Sequence, residues 1–196
     1  MVNHDSGDAL AGFVASLSSL DVAEVIVVDN ASGDGSADHL DSDVALRVVQ
    51  TGANLGYGGG ANRGLALAHA ELVLISNPDV TVHPGALAEL AEALQEDPVL
   101  AIAGPTIVGP DGSRYPSPRR FPSFTAAAGH ALLGTLLPAN RFSRRYRMDD
   151  LDLDLDPAAP RREVDWVSGA SFLARRRALV ELGGFDEAYF MYVEDL

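Results

Sequence analysis

The chain has 196 residues, 47% apolar and 21% charged, with no cysteine and no lysine. A formal charge of −14 argues against a nucleic-acid-binding surface, and the sequence holds no run of about 18 apolar residues to span a bilayer. Disulfides and thiolate metal sites are excluded, and the start M-V-N-H-D-S-G-D lacks the basic and apolar regions of a signal peptide, which predicts a cytosolic protein.

Only Met1 and Val2 precede the polar turn at Asn3, so the first strand is expected to be truncated. Apolar residues at helical spacing predict a helix over 10–20, capped by Asp8 or Ser6. V-I-V-V-D at 25–29 reads as a buried strand, and 45–50 as a second. The loop T-G-A-N-L-G-Y-G-G-G-A-N-R-G then leads into a helix expected over 64–69. L-V-L-I-S at 72–76 is a third strand, stopped by N-P-D; 84–95 is a helix with proline in its first turn, and 101–104 a short strand. This alternation predicts an α/β domain with a mostly parallel sheet.

The pattern breaks over 109–147, which is rich in proline, glycine and arginine, with one helix candidate at 125–137. Seven arginines and no acid lie between Gly112 and Met148, whereas residues 1–100 carry 15 acids and two bases. The basic stretch reads either as a surface for phosphate or an anionic membrane, or as a counterweight to D-D-L-D-L-D-L-D just after it. The acidic run 149–156 is expected to be a loop, 164–175 returns to strand composition, and 176–182 is a helix ended by Gly183-Gly184. A single domain over 1–196 is expected, its pattern changing after 108.

In a parallel sheet, ligands bind beyond the carboxyl ends of the strands. Three polar clusters fall there: Asn3–Ser6, D-N-A-S-G-D from Asp29 to Asp34, and Asn77-Pro78-Asp79. Each could also be an ordinary turn or cap. The glycine-rich loop permits close backbone approach, Gly56 among its glycines, and Asn54, Asn62 and Arg63 add donors suited to an anionic nucleotide. Asp79 could hold a hard divalent cation together with phosphate oxygens. No zinc spacing and no G-x-S-x-G elbow appear. Glu194 and Asp195 follow the aromatic run Y-F-M-Y, where a carboxylate suits general-base work; a solvated tail is the plainer reading, but the preceding aromatics argue for burial and favour the functional one.

V-N-H-D-S-G, V-V-D-N-A-S-G-D-G-S, N-L-G-Y-G-G-G-A-N-R-G, I-S-N-P-D-V, W-V-S-G-A-S-F-L-A-R-R and G-G-F-D-E-A-Y-F-M-Y-V-E-D-L occur in this order. Together they resemble the family 2 inverting glycosyltransferases of the GT-A fold, across essentially the whole chain, which implies a three-layer α/β/α domain with a nucleotide-binding half at 1–108 and an acceptor-side half at 109–196, incomplete at its C-terminus. Further stretches, T-G-A-N-L-G-Y-G, D-G-S-R-Y-P-S-P-R-R-F-P-S and H-A-L-L-G-T-L-L-P-A-N-R-F, are similar to a rhamnosyltransferase subfamily that acts on polyprenyl-diphospho-GlcNAc in cell-wall linker synthesis.

The resemblance implies that Asp29 meets the nucleotide base and that Asn3, Asn54, Gly56, Asn62, Arg63 and Asn77 help hold a nucleotide-sugar, with dTDP-L-rhamnose the implied donor. It places Asp79 as the ligand of Mg²⁺ or Mn²⁺, since Asn77 stands where the family's first metal-site acid belongs. Trp166, Gly169, Ala170 and Ser171 would line the sugar and acceptor site, and Asp195, with Glu194 beside it, would be the base. The acceptor would be a polyprenyl-diphosphate lipid, met peripherally at the inner face of the plasma membrane. Three alternatives stand beside this: a family 2 transferase using another sugar nucleotide, an inactive nucleotide-binding fragment, and a sugar-1-phosphate nucleotidylyltransferase. The last is disfavoured because N-H-D-S-G stands where its G-x-G-T-R-L loop should follow strand one.

Overall fold

The computed structural model describes residues 1–119, 121 and 161–190. They fall into two compact units, Met1–Pro105 with the residues from Gly169 onward, and Thr106–Ser168. The expected helix at 125–137 and loop at 149–156 lie outside the described residues.

The first unit is built on β2, Val25–Asp29, buried along its whole length. It lies between β1, Val2–Asn3, and β3, Leu46–Gln50, both parallel to it. An apolar run such as V-I-V-V suits a strand covered on both faces. Here Val25 and Val27 pack with Leu10, Phe13, Val14 and Leu17, and Ile26 and Val28 with Leu67 and Ala68. The first set comes from α1, Asp8–Ser16, and the turn after it; the second comes from and just after α2, Gly56–Leu67. Two helices on opposite faces of one strand give the expected three layers.

β4, Leu72–Ser76, continues these layers, with Leu74 on the α1 side and Val73 on the α2 side. It pairs antiparallel with β10, Ser171–Arg175, which pairs antiparallel in turn with β5, Ile102–Ala103. Among the described residues β1–β3 thus form a parallel three-stranded sheet, and β4, β10 and β5 a second, antiparallel one. α3, Ala86–Glu96, lies between β4 and β5 in the chain, and α4, Arg176–Leu182, follows β10.

The second unit holds two short antiparallel pairs. β6, Ile107–Val108, pairs with β7, Arg114–Tyr115, and β8, Pro118–Arg119, pairs with β9, Trp166–Val167.

Several expectations are corrected. α1 stops at Ser16, and neither Ser6 nor Asp8 caps it. The Ser6 hydroxyl is spent on Asn3 Oδ1, and the free N–H of Gly7 goes instead to the Asp34 carboxylate, 2.8 Å away. The glycine run is not a loop: Gly56 to Leu67 is helical, and Gly56, Gly58, Gly59 and Gly60 are buried together with Ala61 and Leu65. α3 begins at Ala86 because Gly85 adopts φ 89, which leaves Pro84 outside it. The strand expected over 164–175 is split by a turn at Gly169-Ala170.

Candidate active site

The first cluster forms where β1 and β2 end together, because their parallel register sets Asn3 beside Asp29. Asn3 is fully buried. Its Nδ2 shares its hydrogens among Asp29 Oδ1 at 2.8 Å, Ser36 Oγ at 2.9 Å and Ser32 Oγ at 3.0 Å. The Ser32 hydroxyl also donates to Asp29 Oδ1. The Asp29 main-chain oxygen accepts from the Thr51 N–H at 3.1 Å and hydroxyl at 3.0 Å. Asp29 is thus fixed through Oδ1 and its backbone, while Oδ2 takes no hydrogen bond among the described residues. A carboxylate oxygen held in this way is an oriented acceptor for a ligand N–H.

The two loops carrying these residues are stitched reciprocally. Asp5 Oδ1 accepts from the Gly33 N–H at 2.7 Å, and Asp34 Oδ2 accepts from the Gly7 N–H at 2.8 Å. Asp5 and Ala31 both sit in the left-handed region, at φ 50 and φ 59. The surrounding bonds offset that local cost, a pattern expected where loop shape is fixed for a ligand. The hydroxyl and N–H of Ser36, with the Gly7 N–H, hold the Asp34 carboxyl below its ordinary pKa.

Asn30, also buried, links this cluster to α2. Its N–H donates to Asn3 O at 2.8 Å and its Nδ2 to Gly56 O at 2.8 Å. Asn54 Oδ1 accepts the Gly56 N–H at 2.9 Å. Asn54 and Gly56 therefore shape the entry to α2, while Arg63 is exposed on its flank.

A second cluster gathers at the carboxyl end of β4. The N–H of Asn77 donates to Ala170 O at 2.9 Å, and the Tyr57 hydroxyl donates to Gly169 O. The turn before β10 is thus held from both sides. Ser171 is buried and sits in register with Ser76. Asp79 is exposed just beyond. Among the described residues no group of three or more acids or histidines could hold a metal. A single exposed carboxylate fits a hard divalent cation only if phosphate oxygens and water complete the shell, as is usual for magnesium.

Of the expected acceptor-site residues, Gly169, Ala170 and Ser171 belong to the first unit and Trp166 to the second. In the second unit the Arg119 guanidinium lies 5.9 Å from both the Trp166 and the Tyr115 ring centroids, a cation–π sandwich. Asn62 turns toward the 183–187 segment, where its amide is spent on Phe185 and Glu187. Glu194 and Asp195 lie outside the described residues. The sequence singled out none of Asp5, Asn30, Ser32, Ser36 and Tyr57 individually, although all five sit inside the motifs it marked as candidates. A cavity of about 340 Å³ elsewhere in the first unit, lined by apolar residues such as Val25, Ile26 and Val73, contains none of these groups.

The chain is similar in sequence and in fold to known proteins. The profile of glycosyl transferase family 2 matches residues 1–160. The N-acetylglucosaminyl-diphospho-decaprenol L-rhamnosyltransferase of Mycobacterium tuberculosis is 37% identical over 209 aligned residues, covering 100% of this chain. The chain spans 66% of that relative's length, just under two thirds. Among solved structures, the mannosyltransferase PcManGT of Pyrobaculum calidifontis, in complex with GDP-Man and Mn²⁺, aligns with a TM-score of 0.60 at 19% identity, over 95% of this chain and 46% of that one. TarS of S. aureus, residues 1–349, gives a TM-score of 0.60 at 18% identity, over 99% and 51%. These likenesses support the GT-A fold.

Proposed function

We propose, for a chain that belongs to glycosyl transferase family 2, that it is an inverting glycosyltransferase moving a sugar from a nucleoside diphosphate to a polyprenyl-diphosphate-linked acceptor. The observation that carries this is the Asn3–Asp29–Ser32–Ser36 network, which leaves one oriented carboxylate oxygen at the carboxyl end of β2. The ring N3–H of uracil or thymine can donate to such an oxygen, so uridine and thymidine diphosphates fit the site. The similarity to the mycobacterial L-rhamnosyltransferase supports transfer of L-rhamnose to a GlcNAc-diphospho-polyprenol, and dTDP-L-rhamnose is the donor assigned to it here. A lipid acceptor would bring the protein to a membrane surface, and no helix of the described residues is long and apolar enough to cross one.

In the transfer, an acceptor hydroxyl oxygen attacks the anomeric carbon from the face opposite the diphosphate. The carbon–oxygen bond to phosphate breaks, its electron pair leaves with the nucleoside diphosphate, and the hydroxyl proton passes to a carboxylate. Asp195 is assigned that base role, with Glu194 beside it. Asp79 would hold a divalent cation that neutralises charge on the diphosphate. Asn77 and the Gly169-Ala170 turn, tied to each other and to Tyr57, would shape the sugar pocket next to it.

The test is incubation of the chain with Mg²⁺ and polyprenyl-diphospho-GlcNAc, with dTDP-L-rhamnose or UDP-sugars as donors. Transfer of rhamnose is expected. Transfer from a UDP-sugar alone would replace the donor assignment, and nucleotide binding without transfer from any donor would leave a nucleotide-binding module in place of the enzyme.

A further inference from the structure

Asn62 and the 184–190 segment are separated by more than 120 residues, yet they lock together. Asn62 Oδ1 accepts the Phe185 N–H at 2.9 Å, and its Nδ2 donates to Phe185 O at 2.9 Å and to Glu187 Oε1 at 3.0 Å. One side-chain amide thereby pairs with both backbone groups of one residue. The approach is close enough that a Cβ on Gly184, which has φ 81, would lie 2.2 Å from Asn62 Oδ1. At the other end of the segment, Phe190 O accepts the Tyr57 N–H at 3.2 Å, and a Cβ on Gly56 would lie 2.1 Å from that oxygen. Between the two anchors, the Phe185 ring meets Tyr57 edge-on at 6.1 Å and Phe172 at 6.4 Å.

We infer that Asn62 is a positioning residue of the transfer reaction and not a ligand of the nucleotide. It moors the segment that runs, four residues beyond Phe190, into Glu194 and Asp195. The inference rests on the reading of Asp195 as the base. A proton acceptor has to be held within a fraction of an ångström of its working place, and a small misplacement costs far more in turnover than in binding. Both anchors lie on α2, whose first residue is also bonded to Asn30 of the nucleotide cluster. The helix therefore ties the donor side of the site to the chain carrying the base, and G-G-F-D and A-N-R-G are two halves of one contact.

The experiment compares Asn62→Ala, Asn62→Asp and Gly184→Ala with the unmodified chain, in three readouts. These are kcat with the donor and lipid acceptor above, the Kd for dTDP by calorimetry, and amide hydrogen exchange over 185–190. For Asn62→Ala the expected result is a kcat lower by about tenfold to a hundredfold, a dTDP Kd changed by less than about twofold, and faster exchange at 185–190. Asn62→Asp keeps the acceptor for the Phe185 N–H but sets a second charge beside Glu187, so its loss should be smaller and partly recovered by adding Glu187→Gln. Gly184→Ala disturbs the same contact from the other side and should reproduce the pattern, which keeps the inference testable if Asn62→Ala does not fold. A dTDP Kd weakened tenfold with kcat intact would make Asn62 a nucleotide ligand and overturn the inference. Unchanged exchange at 185–190 in Asn62→Ala would overturn it whichever donor the enzyme uses. Asp195→Asn with full turnover, by contrast, would remove the base assignment while leaving the exchange result standing.

Discussion

At the scale of single residues, Asp29 and Asn3 divide one task. Asn3 supplies the donors that fix Asp29 Oδ1, Ser32 and Ser36, and Asp29 keeps one oxygen for a ligand. Asp29→Asn preserves shape but places an amide nitrogen on one side or the other. It then faces either the Asn3 amide or the base N–H, a donor against a donor. A hydrogen bond to a charged group is worth about 1.5–3 kcal/mol, so dTDP binding should weaken by about tenfold to a hundredfold with the fold retained. An unchanged Kd in calorimetry would remove Asp29 from the site. Asn3→Ala should act mainly on stability, lowering it by about 1–3 kcal/mol in urea unfolding, because it strips a buried carboxylate and two serines of a shared donor. The sequence made both residues visible as candidates because they end strands. It could not reveal that Ser32 and Ser36 belong to the same network. That depends on the left-handed turn at Ala31, which alanine does not advertise.

At the scale of elements, α2 departs furthest from the local reading. Four glycines in five residues, 56–60 with Tyr57 between, argue for a loop on propensity alone, since each costs about 1 kcal/mol against alanine in a helix. Tertiary contact overrides this. The glycines are buried together with Ala61 and Leu65, and Gly56 is approached by a main-chain oxygen that no side chain would tolerate. Gly56→Ala would have to accept φ 75 with a Cβ 2.1 Å from Phe190 O. Left-handed backbone alone costs about 1–2 kcal/mol for such a residue, so a loss larger than that is expected in urea unfolding, with faster exchange at 185–190. Stability within about 0.5 kcal/mol of the unmodified chain would show that the 185–190 segment is not seated on α2. β10 was legible as a strand from S-F-L-A-R, but its direction was not. Strand composition carries no sign of parallel or antiparallel pairing, and only the partners at Ser76 and Ala103 fix it. β2 and β4 were read with correct limits because each is an unbroken apolar run closed by a polar residue; β2 is buried along its whole length, and β4 at Ile75 and Ser76.

At the scale of the whole molecule, stability should respond to pH in two separate windows. The amino group of Met1 donates to Ile26 O at 2.8 Å from a half-buried position, and the loss of solvation lowers its pKa from 8.0 to about 6. The charged form is disfavoured in the fold, so the unfolded chain takes up this proton first. Stability is therefore unaffected above about pH 8, falls as pH drops from 8 toward 6, and levels off below. Two pKa units correspond to a loss of about 2–3 kcal/mol at most. Asp34 acts further down. Its pKa is lowered by Ser36 and Gly7, so the stabilisation it gives is present at neutral pH and is lost only as pH falls through and below the ordinary carboxylate range. Relief of repulsion in a chain of charge −14 opposes both losses, and a simple pH series would mix the three. Nα-acetylation separates them, because it removes the titrating charge at Met1 and keeps an N–H directed at Ile26. Urea unfolding at pH 8.5 and pH 6 should show the free-amine chain losing more stability than the acetylated one, and Asp34→Asn should leave that difference untouched. Equal losses in the acetylated and free chains would mean that the amine is not desolvated between the first two strands.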